Sequence, residues 1–77
     1  MSRTTQPIPL VSDYFGDSDA PIITAEFRPG RGWVRTSFKK RVSRAWLRKL
    51  RAEGVTHVAL TAREGRTADF AVAELLR

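Results

Sequence analysis

Pro21-Ile22-Ile23-Thr24-Ala25-Glu26-Phe27-Arg28, Pro29-Gly30-Arg31-Gly32, Trp33-Val34-Arg35-Thr36-Ser37-Phe38: two alternating runs divided by a turn, and their reading decides the fold. Proline and glycine punctuate chains at turns, so residues 29–32 read as the loop of a β-hairpin. A four-residue loop sets Arg28 opposite Trp33, Phe27 opposite Val34, Glu26 opposite Arg35 and Ala25 opposite Thr36. Directly opposed residues share a sheet face. One face then carries Phe27, Val34, Ala25, Thr36, Ile23 and Phe38, and the other carries Arg28, Trp33, Glu26, Arg35, Thr24 and Ser37. Apolar and polar side chains separate, as expected for a sheet with one solvated side.

Outward from the hairpin, the spacing predicts an amphipathic helix from about Ser37 to Glu53, capped by Thr36 or Ser37 and stopped at Gly54. At 100° per residue, Val42, Ala45, Trp46 and Leu50 fall on one side, with Leu47 at its edge. Lys40, Arg41, Arg44, Arg48 and Arg51 gather opposite them. Like charges at i, i+4 repel by about 0.2–0.5 kcal/mol per pair. The ladder Lys40, Arg44, Arg48 holds no compensating acid, which favours an anionic partner over a merely solvated face. The macrodipole suits the cations near the helix end but opposes those from Lys39 to Arg44.

Residues 55–62 (VTHVALTA) read as a strand with Val58 and Leu60 inward and His57, Ala59 and Thr61 outward. Thr67 to Arg77 has helix-forming composition, and a strand hairpinned to 55–62 is the rival reading. The first 20 residues, with Pro7, Pro9 and Asp13, Asp17 and Asp19, are expected to be largely irregular. Ile8, Leu10 and Val11 suit an edge strand there, and Tyr14 and Phe15 an anchor on the core. The acidic trio also suits contact with the basic face. The expectation is thus an irregular acidic segment 1–20 and a basic domain 21–77. The fold class is α+β, in the order β-β-α-β-α, with helices on one face of a three-stranded, mostly antiparallel sheet.

Seventy-seven residues make one domain with a thin core. The formal charge is +6, and from Phe27 to Ala52 there are ten Lys or Arg and no acid. Arginine outnumbers lysine eleven to three, which suits bidentate phosphate contact but also follows from GC-rich coding. Without cysteine there is no disulfide framework and no thiolate metal site. A reducing, cytoplasmic setting is expected, with no signal peptide and no membrane span.

His57 is the only histidine and has no second ligand or nucleophile spaced beside it. The carboxylates are scattered, so no acid–base pair is expected, and with it no catalysis, metal or cofactor. The segment Arg28 to Gly32 lacks the residues that complete a phosphate-binding loop and reads as an ordinary turn. Residues 50–56 fit the turn of a helix-turn-helix poorly, because Lys49 and Glu53 stand where that motif needs apolar side chains.

Two surfaces remain. The outer helix face, with Lys40, Arg41, Arg44, Arg48 and Arg51, suits duplex phosphates. The open hairpin face, with Trp33 among Arg28, Arg31 and Arg35, suits single strands; alternatively Trp33 covers the Arg28 stem, while Trp46 is a core residue. The expected class is a small non-catalytic nucleic-acid-binding protein, with duplex DNA favoured. Composition and size suit a phage, mobile-element or bacterial regulator. The rival class is an interaction module or inhibitor that docks its basic helix on an acidic protein. An exposed hairpin edge also permits a homodimer.

Overall fold

A computed structural model describes residues 8–16 and 21–77, and for 37–39 the backbone alone. The elements are α1 (Pro9–Phe15), β1 (Ile22–Arg28), β2 (Gly32–Arg41), α2 (Arg44–Ala52), β3 (His57–Thr61), β4 (Thr67–Ala71) and α3 (Val72–Leu75). The fold is α+β with an antiparallel sheet, as expected. The sheet has four strands rather than three, in the order β2-β1-β3-β4. Both β2 and β3 pair antiparallel with β1, so they run parallel to each other on either side of it. The connection between them crosses β1, and α2 lies within that crossing.

The hairpin forms, but its register differs by one residue. Arg28 pairs with Gly32, Phe27 with Trp33, Glu26 with Val34 and Ala25 with Arg35. The cause is the turn. The Arg31 amide donates to the Arg28 carbonyl at 2.9 Å, with Pro29 at the second turn position and Gly30 at the third with φ +88°. That is the chemistry of a type II turn. Gly32 follows with φ +84°, so three residues close the loop instead of four. The slip leaves Val34 inward but exchanges the faces of β1 beside the turn, as a one-residue shift must. Glu26 and Arg28 turn towards the core, and Phe27 turns away from it.

The irregularity at Thr24 restores the phase. Ile23 pairs with Lys40 and Leu60, while Ala25 pairs with Arg35 and Ala59. One residue of β1 therefore faces four of β2, an irregular bulge that ends the simple alternation. Ile23 returns to the core at 1% exposure. Thr24 joins the outer side, where its hydroxyl meets that of Thr61 at 3.1 Å.

The helix begins later than its periodicity suggests. Residues 39–41 remain in β2, with Lys40 and Arg41 opposite Ile23 and Ile22, and the Val42 amide donates to the Pro21 carbonyl. The Ser43 hydroxyl accepts from the Trp46 amide at 3.2 Å and caps α2. This placement removes residues 39–41 from the positive end of the helix dipole. Leu47 and Leu50 form its buried stripe, Trp46 is half-buried and Ala45 is exposed. Ser43→Ala is expected to cost about 1 kcal/mol, the usual value of an N-cap, measured as a lower urea midpoint at unchanged slope.

Two further corrections follow from packing. Thr67–Ala71 is a strand, pairing from Thr61 with Thr67 to His57 with Ala71, and only Val72–Leu75 is helical. Residues 8–11 do not form an edge strand. Pro9 opens α1, a position that needs no amide donor, and Ile8 and Val11 enter the core. Phe15 packs against the core as expected, whereas Tyr14 is 46% exposed; their rings meet Phe70 edge to face at 6.4 and 6.0 Å. Arg66 donates to the Tyr14 carbonyl at 2.8 Å. Asp17 and Asp19 lie outside the described residues.

The core joins Ile23, Val58 and Leu60 of the sheet to Leu47 and Leu50 of α2 and to Val72 and Leu75. Val58 and Leu60 point inward as their alternation predicts, with His57 exposed and Thr61 half-buried on the other side; Ala59, expected to be outward, is only 8% exposed, between Ala25 and Asp69 on the neighbouring strands. All described helices contribute to this one side of the sheet. The other face carries no described helix.

Candidate functional site

The five cations expected on one helix face are divided among three places. Arg44, Arg48 and Arg51 are on α2, whereas Lys40 and Arg41 are on β2. Lys40 is opposite the inward Ile23 and lies on the helix side, where its ammonium sits 5.0 Å from the centre of the Trp46 ring. Lys49 sits 4.9 Å from the same ring. Arg41 shares a row with Ile22 and Thr61, on the open side of the sheet.

On α2, Arg48 and Arg51 are exposed and form no ion pair with a described residue. Arg44 is half-buried. One of its terminal nitrogens donates to the Arg77 carbonyl at 3.4 Å, and its Nε is buried without a described partner. Three arginines therefore remain along the helix flank. The acid on the neighbouring short helix, Glu74, is taken by Arg77 at 3.8 Å.

Arg28 does not stand beside Trp33. Its Nε donates to Glu26 Oε1 at 2.8 Å and its Nη2 donates to Glu53 Oε1 at 3.0 Å. The network ties β1 to the end of α2 on the core side and satisfies Glu26, which is 8% exposed. Hydrogen bonds to Glu53 and then Glu26 raise the guanidinium pKa further above its already high value. The resulting stabilisation is complete below that range and is lost only as pH rises through it. Arg28 therefore carries its charge throughout the pH range of a folded protein. A cleft of about 300 Å³ opens beside this network, with Val34, Trp46 and Leu50 among its walls.

The open face is richer than the sequence suggests. Trp33, 47% exposed, meets Phe27 with ring centres 5.5 Å apart, and Phe27 meets His57 at 6.1 Å. Their interplanar angles of 76° and 85° are edge-to-face, so Phe27 stacks flat on neither neighbour. Strand pairing alone sets this row: Trp33, Phe27 and His57 are opposed across β2, β1 and β3. Arg35 and Arg41 lie on the same face along the β2 edge, and Arg31 is exposed in the turn. The four-residue loop assigns Phe27 to the core, so only the outward placement of His57 was legible. The signal that identifies Phe27 is Pro29-Gly30 followed by Gly32, which favours the shorter loop.

Among the described residues, no group of three His, Asp or Glu converges as a metal site would. No described helix is long and apolar enough to cross a membrane. No protein-family model matches the sequence, and neither a curated protein nor a solved structure matches it at a significant level.

Proposed function

We propose that this is a small non-catalytic nucleic-acid-binding protein that contacts the phosphate backbone through the basic flank of α2. The reading rests on Arg48 and Arg51, exposed on a nine-residue helix that contains no acid, with Arg44 on the same flank. An unmixed basic flank costs repulsion that an anionic ligand relieves. Guanidinium groups suit phosphate because their planar fork can donate two parallel hydrogen bonds. Backbone contacts position a protein without reading sequence, so little base preference is expected. A regulatory role is consistent with such binding and with the size of the chain.

Fluorescence anisotropy with labelled duplex DNA over a salt series tests the proposal. Each phosphate neutralised contributes about −0.9 to the slope of log affinity against log salt. Arg48→Ala with Arg51→Ala is expected to weaken binding and to flatten that slope by roughly two. Unchanged affinity and slope would remove α2 from the interface. If nucleic acid fails to bind near physiological salt, the partner becomes an acidic protein, to be sought by pull-down.

A further inference from the structure

We infer that the open face of the sheet is a second binding surface, built to stack the bases of a single-stranded nucleic acid on Trp33, Phe27 and His57. The inference rests on the nucleic-acid reading but on a different surface, because α2 packs against the opposite side of the sheet. Three observations support it independently of the helix. The rings form one row across three adjacent strands. No described helix covers that row. The cations are on the same side: Arg35 and Arg41 along β2 and Arg31 in the turn, none paired with a described acid.

The occupant follows from the chemistry. An apolar peptide would gain little from a row edged by three guanidinium groups. A duplex hides the faces of its bases and cannot use the rings. A single strand presents both an accessible base face and a phosphate at each nucleotide, which are the two features this surface matches. Among the described strand residues, the acid on this face is Asp69, on β4 across the sheet from Arg35. The field therefore favours a path near β2 and β1, with phosphates along Arg35 and Arg41 and a base against Trp33. Thr24, Thr61 and Thr67 bond to one another at 3.1 Å at the far end and offer no ring.

Trp33 supplies the readout. Titration of the full chain with oligothymidylate is expected to quench tryptophan emission, and Trp33→Phe is expected to abolish most of that quench, leaving Trp46 as reporter. Anisotropy of the labelled oligonucleotide should show Trp33→Ala binding roughly five- to a hundredfold more weakly, the range for loss of one stacked base. Trp33→Tyr should recover most of the affinity. A blunt duplex of mixed sequence should not quench Trp33. Equal oligothymidylate affinity for the native chain and Trp33→Ala would overturn the inference, as would a quench that survives in Trp33→Phe. If duplex binding still depends on Arg48 and Arg51 in that case, the proposed function stands and only the sheet surface is lost. Absence of binding to either polymer overturns both.

Discussion

Leu47→Ala is expected to lower stability by about 2–5 kcal/mol, the range for truncating a buried leucine. The side chain has no exposure and belongs to the cluster that joins α2 to Ile23, Val58 and Leu60. Its loss removes transfer energy and leaves a void, and the void is hard to close because α2 is held near both ends. Ser43 caps one end, and Glu53, at the other, is bonded to Arg28. A domain of this size has roughly 0.05–0.15 kcal/mol of stability per residue, so one such change consumes a large share. At about 4–8 °C per kcal/mol, the melting temperature should fall by roughly 8–40 °C. Thermal unfolding followed by circular dichroism measures it, with Leu10→Ala as control, because Leu10 is 36% exposed. A fall of less than about 5 °C would mean that α2 is not fastened to the sheet through Leu47.

What was legible in this chain was its alternation, and what was not was its phase. Val58 and Leu60 are inward because β3 alternates without interruption, so its pattern reads directly. β1 and β2 also alternate, but register depends on the loop between them, and a loop shorter by one residue moved Glu26 inward and Phe27 outward. Polar patterning alone argues against burying Glu26. The arginine two residues along the strand, which supplies its partner, was the available clue. The bulge opposite Thr24 had no comparable signal.

The basic helix carries a second lesson. Lys40 and Arg41 fit a helical wheel, yet they stand at the wrong end of the dipole. That conflict was evidence about where the helix begins, and Ser43 resolves it. The Thr67–Ala71 segment shows pairing overriding propensity. Its alanines suit a helix, but the exposed edge of β3 supplies hydrogen bonds to an extended chain. The fold therefore groups the candidate residues differently. Lys40 and Arg41 lie on β2 rather than on the helix face, Arg28 is on the core side, and Phe27 and Arg41 share the open side with Trp33 and the outward His57.

Arg28→Met is expected to destabilise the fold more than replacing Arg28 and Glu26 together. The single change leaves the Glu26 carboxylate, opposed by Val34 and Val58, without its guanidinium partner, and releases Glu53 as well. A buried charge that loses its partner keeps its desolvation penalty, whereas a pair replaced by apolar groups loses the penalty and the attraction together. Methionine at both positions is flexible enough to fill the cleft wall without a fixed shape. Urea midpoints should therefore fall in the order native or Glu26→Met/Arg28→Met, then Arg28→Lys, then Arg28→Met. Lysine ranks low because one ammonium on a flexible stem does not reproduce a fork that reaches both Glu26 and Glu53. The coupling between positions 26 and 28 is the deciding quantity, since adjacent charged partners are not additive. If the double substitution loses as much as the sum of the single ones, the carboxylate does not depend on Arg28, and the register that buries Glu26 would have to be reconsidered. If the double substitution recovers the midpoint that Arg28→Met loses, Glu26 is buried and depends on Arg28, as the slipped register requires and as the four-residue loop, which leaves both side chains on the solvated face, does not.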